Sequence, residues 1–157
     1  MSGPFVSNVA RAVPFDNSSN GFSSTDTQSA IEEIGSSASP GFSFGRSGNA
    51  TAGTYLQNET VPSNVSGRWV FINNPVVKKV FVTNENITTF KIEVLYHDGN
   101  ESGLTSLGTV TVTSAKGGYF DVNWSVPINK QLAIRIATDS PNSAKNVVCG
   151  LQLSGSV

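Results

Sequence analysis

From residue 42 onward, short runs of alternating apolar and polar residues constrain the fold of this chain more than any other feature of the sequence. In Phe90–His97, FKIEVLYH, every second residue from the first is Phe, Ile, Val or Tyr. Similar alternation recurs in residues 120–126 and 132–136. Because successive side chains of a β-strand point to opposite faces, each run predicts a strand with one buried and one exposed face.

Clusters of Gly, Asn, Asp, Ser and Pro separate these runs at spacings typical of a sandwich or a barrel. We predict strands at residues 42–46, 53–58, 67–72, 77–83, 88–97, 104–113, 118–126, 131–138 and 146–154. A mainly β fold follows, with an antiparallel, jelly-roll-like β-sandwich over residues 42–157. The residues predicted to form its core are Phe90, Ile92, Val94, Phe120, Val122, Trp124, Leu132, Ile134 and Ile136.

Residues 13–34, VPFDNSSNGFSSTDTQSAIEEI, run from an irregular polar stretch into a helix-start signal. Thr25 can cap a helix, and Gln28, three residues later, can reach back to the N–H of the cap, as in a capping box. Ile31 and Ile34 fall on one stripe at helical spacing. We therefore predict three segments before the β-domain: an extended arm at 1–24, a short amphipathic α-helix at 25–35 and a linker at 36–41.

The predicted helix must pack on another element, because a helix of about ten residues is marginal alone in water. Isoleucines at both seam positions favour a bundle of three copies, and a helix lying on the chain's own β-domain is the alternative. The run Arg68–Ile72 does not alternate and is apolar on both sides, as in a strand that is covered on both faces. Its second cover is either a neighbouring loop or another copy, so Trp69 and Phe71 are candidate interface residues.

The pattern FDNS-x-NGF followed by ST-x-x-Q-x-AIEE resembles a segment near the start of tailed-bacteriophage virion proteins, such as fibres, whiskers and related accessory proteins. The opening of the β-region, FSFGRSGNATAGTYL, is similar to the first hairpin of phage fibre and decoration domains. The first resemblance implies that the N-terminal segment anchors the chain to the particle. The anchoring and assembly residues would be Phe15, Asp16, Asn17, Phe22, Gln28, Ile31 and Ile34.

This resemblance implies a structural component of the virion, synthesised in the host bacterial cytoplasm, that displays its β-sandwich outward as a fibre or capsid decoration protein. Its partners would be other virion proteins of the capsid, neck or tail, and copies of itself in a homotrimer. The alternative is a receptor- or glycan-binding module used in host attachment, with a host surface glycan as its partner. Tyr119 and Tyr55 are the aromatic candidates for such a glycan site.

Composition argues against several other functions. Charged residues make up 13% of the chain, the formal net charge is −1 and no basic run occurs, so we expect no nucleic-acid binding. No apolar stretch approaches the length that spans a bilayer, so we expect no membrane insertion. The opening residues lack the pattern of a signal peptide, and a single cysteine excludes an internal disulfide. These features predict a soluble protein made in a reducing cytoplasm.

The sequence offers little for catalysis, and we expect no enzymatic activity, cofactor or metal site. The single histidine, His97, is predicted to be exposed at a strand end, and Cys149 lies in an apolar run and is predicted to be a small core residue. No metal-ligand spacing of Cys, His or Asp occurs. Two distant carboxylates could still converge as a glycosidase pair. The candidates, each in a turn or exposed-strand context, are Asp98, Glu101, Asp121 and Asp139.

Overall fold

The structure, a computed structural model, describes Pro14 and residues 25–29, 41–99 and 103–156. The chain divides into two compact units, Met1–Ala38 with Val157, and Ser39–Ser156, which we call the β-unit. In the first unit, the described residues form an isolated bridge between Pro14 and Asp26 and a helical turn at residues 27–29.

Asp26 caps the helical turn. Its Oδ1 accepts the N–H of Ser29 at 2.9 Å, and its Oδ2 accepts the Ser29 hydroxyl at 2.8 Å. The prediction that Thr25 is the cap is therefore wrong by one residue, because the helical conformation begins at Thr27 and the residue before it takes the capping position. Gln28 lies within this turn. The other predicted anchoring residues, Phe15, Asp16, Asn17, Phe22, Ile31 and Ile34, lie outside the described residues.

The β-unit is an antiparallel sheet of eight strands. The strands are β1 (Gly41–Ala50), β2 (Gln57–Asn58), β3 (Val61–Pro62), β4 (Arg68–Trp69), β5 (Asn73–His97), β6 (Thr105–Ser125), β7 (Gln131–Ile136) and β8 (Ala144–Ser156). Their order is β3-β2-β1-β8-β5-β7-β4, and β6 also pairs with β5. The predicted mainly β, antiparallel architecture is confirmed.

Two long strands replace four predicted shorter ones. Residues 77–83 and 88–97 belong to one strand, β5, and residues 104–113 and 118–126 largely belong to β6. The polar residues between them form a bulged bend inside the strands instead of loops, and such bulges bend a strand without ending it. Asn84 Oδ1 accepts the N–H of Lys145 at 2.7 Å, which ties the bend to β8.

Strand β5 joins two halves of the sheet. Its first part pairs with β8 over Asn73–Thr83, and its last part pairs with β7 over Ile92–His97, while β6 runs along its other edge. The sheet is curled like half of a barrel. A side-chain carbon at Gly108, near the start of β6, would overlap the ring of Trp124, near its end, so glycine leaves room for that ring.

A continuous apolar core contains side chains from both halves of the sheet. Most of the predicted core residues are fully buried: Phe90, Ile92, Val94, Leu132, Ile134 and Ile136. The other three, Phe120, Val122 and Trp124, pack against the core but are only partly buried. They lie on β6, which has a neighbouring strand on one edge only among the described residues. The prediction of an exposed face on the strand at 131–138 is wrong at Ala133, within β7, and at Ala137, just after it, since both are buried.

We expect Ile134→Ala to lower the free energy of unfolding by about 2–5 kcal/mol, because it removes a side chain that is 0% exposed and leaves a cavity in the core. Ile87, which is 71% exposed, provides the matched control, and Ile87→Ala should change that free energy by no more than about 0.5 kcal/mol. Urea unfolding of both variants and the parent chain measures the difference. A larger loss for Ile87→Ala would contradict the described packing.

Candidate functional site

His97 is buried, so its predicted exposure is wrong. Its Nδ1 accepts the N–H of Gly99 at 3.1 Å, which leaves Nε2–H to donate to the carbonyl oxygen of Ser63 at 3.1 Å. Both ring nitrogens are therefore bonded to the backbone in a neutral imidazole. The segment that contains Ser63 and Gly67 packs on this ring. The alternation of residues around His97 could not predict its burial, because this segment is distant in the sequence.

Cys149 is fully buried, as predicted for a small core residue. Burial raises the pKa of its thiol far above the ordinary value. Since the thiolate is the nucleophilic form of cysteine, this side chain is poorly suited to catalysis.

The candidate carboxylates are held by lysines on the surface. Lys79 Nζ lies 3.3 Å from Asp121 Oδ1, Lys91 Nζ lies 2.5 Å from Asp139 Oδ2, and Lys130 pairs with Asp98. The hydrogen bond from Lys91 lowers the pKa of Asp139, which opposes a role as a general acid. Glu101 lies outside the described residues. Among the described residues, no group of three or more His, Cys, Asp or Glu side chains is placed to hold a metal ion.

Tyr55 belongs to a partly buried polar cluster. The guanidinium of Arg135 lies 5.7 Å from the centre of the Tyr55 ring, and Nη1 donates to the tyrosine hydroxyl at 3.2 Å. Arg135 also pairs with Glu93 at 2.6 Å. Because both the ring face and the hydroxyl of Tyr55 contact Arg135, this residue is a poor platform for a ligand.

Tyr119 lies on the open outer face of the sheet and is 87% exposed. It stands directly opposite Phe81 in the ladder between β6 and β5, with ring centres 6.3 Å apart and planes inclined at 36°. On the other side of Phe81 the neighbouring residue is Gly150 of β8. A side-chain carbon at Gly150 would overlap the Phe81 ring, so glycine allows this ring to lie over the β8 backbone.

The strand register extends this aromatic pair into a surface of three cross-strand rows, which we call the aromatic platform. Each row crosses β1, β8, β5 and β6 in that order. The central row is aromatic at one end, the row on one side of it is polar, and the row on the other side carries small and β-branched residues. The rows are Ser43, Gly150, Phe81 and Tyr119; Gly41, Gln152, Lys79 and Asp121; and Gly45, Val148, Thr83 and Gly117.

A second exposed aromatic surface, the end patch, consists of Trp69 and Phe71. Trp69 is 43% exposed, Phe71 is 78% exposed, and their rings stack with centres 6.2 Å apart. Val70 between them is buried and its N–H donates to the carbonyl oxygen of Lys130 at 2.9 Å. One face of the predicted doubly covered run is thus buried, and the face with Trp69 and Phe71 is open in the described part of the chain.

A surface cleft of about 430 Å³ lies beside Ile128 and is lined by Asn74, Pro75, Val76 and residues 125–128. None of these lining residues is an acid or a base, so the cleft offers no group that could activate the Ser125 hydroxyl as a nucleophile. In the described part of the chain, no helix is long and apolar enough to cross a membrane.

Comparison with known proteins adds no relative. The chain matches no protein-family model, no curated protein and no solved structure. The two aromatic surfaces therefore have to be interpreted from their own chemistry.

Phe81 was not among the predicted surface residues, although the sequence around it carries a signal. Val80 and Val82 alternate with Lys79, Phe81 and Thr83, which places Phe81 on the polar side of its strand. Gly150 gave no such signal, because the contact that explains it lies on another strand.

We expect Cys149 to resist thiol reagents in the folded protein near pH 8.5, where an ordinary cysteine is about half ionised. The raised pKa keeps the buried thiol protonated there, whereas the unfolded chain should react at once. Labelling with a chromogenic disulfide, with and without urea, measures the difference. Rapid stoichiometric labelling of the folded chain would show that the thiol is accessible and ionised.

Proposed function

We propose that this chain is a non-enzymatic structural protein of a tailed-phage particle. Its N-terminal segment docks on other virion proteins, and its β-unit is displayed outward as a fibre or decoration module. The observation that carries the proposal is the division of the chain into two compact units, Met1–Ala38 and Ser39–Ser156. The phage-like segment lies in the first unit, and a β-unit with its own core forms the second.

The chemistry of the β-unit supports a display role over catalysis. His97 and Cys149 are buried, and Asp98, Asp121 and Asp139 are each paired with a lysine. The large side chains that the β-unit exposes include the aromatic rings of Trp69, Phe71, Phe81 and Tyr119. Such surfaces suit contacts with another molecule better than bond-making chemistry.

A more specific fold class for the antiparallel β-unit, the jelly-roll-like sandwich, is also proposed. The core lies between side chains from the β8 half and the β7 half of the curled sheet. We propose that the two halves act as the layers of a jelly-roll-like sandwich joined through β5 and β6, with sandwich packing of their inner faces.

Removal of residues 1–34 should abolish incorporation into particles without unfolding the β-unit. The expected result is a truncated chain with the same cooperative thermal transition in near-ultraviolet circular dichroism, but absent from purified particles. The full chain, expressed in the same way during infection, is the control. Incorporation of the truncated chain at normal copy number would show that the N-terminal segment is not the anchor.

We propose that copies associate into a homotrimer and that the end patch contributes to the contact. Large exposed aromatic side chains such as Trp69 and Phe71 are enriched at interfaces between proteins. Ile31 and Ile34, predicted to fall on one stripe of a helix, would add a second contribution from the N-terminal segment.

In sedimentation equilibrium we expect the full chain to be a trimer and Phe71→Asp to dissociate more readily, because a charge would be desolvated at the contact. Ile87→Asp provides the control, since Ile87 is 71% exposed and lies outside the end patch. A parent chain that is monomeric without virion partners, or equal effects of the two variants, would contradict this contact.

Receptor or glycan binding during host attachment is the second candidate function. The specific observation in its favour is the aromatic platform, where Phe81 and Tyr119 are both exposed and their rings lie side by side.

A further inference from the structure

We infer that the aromatic platform is a carbohydrate-binding site, formed by Phe81 and Tyr119 together with the polar row beside them. This inference deepens the second candidate function, receptor binding, and does not depend on how the chain is anchored. The ligand class that fits is an uncharged saccharide of one to three rings, such as a segment of a hexose-containing polysaccharide.

The aromatic pair provides a stacking surface. Glycine at position 150 lets the Phe81 ring lie over the β8 backbone, and Tyr119 extends the surface with an inclined ring 6.3 Å away. The π-face of an aromatic ring is electronegative, so it attracts the weakly positive C–H groups on the flat face of a sugar ring. The strand pairing fixes the backbone positions of both residues before any ligand arrives.

The polar row provides hydrogen bonds of both kinds. Lys79 and Asp121 occupy positions two residues from Phe81 and Tyr119 on the same strands, about 7 Å away along the strand. Lys79 supplies donors and Asp121 supplies acceptors, and Gln152, opposite Lys79 on β8, supplies both. Sugar hydroxyl groups need this mixture, because each hydroxyl both donates and accepts.

The size of the platform favours a small ligand over a protein. Three rows on four strands span roughly 14 Å by 13 Å, or about 200 Å². A stable protein contact buries about 800 Å² on each partner. A patch of this size is too small for such a contact on its own, whereas it matches one to three sugar rings.

The charge of the platform favours an uncharged ligand. Within the three rows, the charged side chains are Lys79 and Asp121, and they form an ion pair at 3.3 Å. Their charges cancel, so the platform has no excess positive charge for nucleic acid or another polyanion. Small residues on β1, Gly41, Ser43 and Gly45, leave the surface low on that side, where a longer chain could continue.

The platform is also preorganised. Phe81, Gly150 and Tyr119 lie on three hydrogen-bonded strands whose inner faces belong to the core, and β5 and β8 are paired on both edges. Ordering a binding surface costs free energy, so a surface that is already fixed retains more of the contact energy as affinity.

The test is an array of hexose and N-acetylhexosamine oligosaccharides, probed with the full chain, followed by titration calorimetry of the best binder. We expect Tyr119→Ala to weaken binding at least about tenfold through loss of one stacking ring. Tyr119→Phe should retain binding, and Ile87→Ala, which removes an exposed apolar side chain outside both the platform and the end patch, should leave it unchanged. Uronate-containing oligosaccharides on the same array test the charge argument and should bind no better than neutral ones.

Absence of binding to every sugar on the array, or binding that Tyr119→Ala does not weaken, would overturn the inference. A change in sedimentation of Tyr119→Ala in place of a change in binding would identify the platform as a contact between copies and overturn it too. The virion proposal fails separately: Tyr119→Ala should enter particles at normal copy number whether or not sugar binds.

Discussion

The rest of the β-unit depends on the pairing of β5, which has neighbours on both edges along most of its length. One edge pairs with β6 on both sides of the bend, and the other is shared by β8 and then β7. Because one strand belongs to both halves of the sheet, their inner faces are brought to a common core. The bend at Asn84, fixed by its bond to the Lys145 N–H, allows this without a break in the strand.

The outer surface follows from that arrangement. A strand whose inward residues are committed to the core presents the residues between them to solvent, so Val80 and Val82 inside place Phe81 outside. Whether an outward ring is a ligand platform or an ordinary surface residue depends on its neighbours on other strands. At Phe81 those neighbours are Gly150 and Tyr119, and the result is an aromatic surface with a polar border.

The sequence was sufficient for the type of fold and for much of the core, because period-two alternation is a local signal. It was insufficient at three places where distant residues decide the outcome. Asn84 looked like part of a loop, but its side chain bonds to β8. His97 looked exposed, but the segment with Ser63 covers it. Thr25 and Asp26 are both good caps, and only the position where helical geometry begins distinguishes them.

The shared strand has a consequence for how the β-unit resists damage. In many folds with two β-sheets, each sheet has its own strands, and cleavage of the backbone in one sheet can leave the other sheet intact. Here the exposed bend at Glu85–Ile87 lies on the backbone that belongs to both halves. A protease that cleaved this bend would sever the connection through which each half holds the other. Glu85 accepts hydrogen bonds from Lys145 and Asn146, which hold the bend against β8. These bonds therefore protect the peptide bonds of the bend from cleavage.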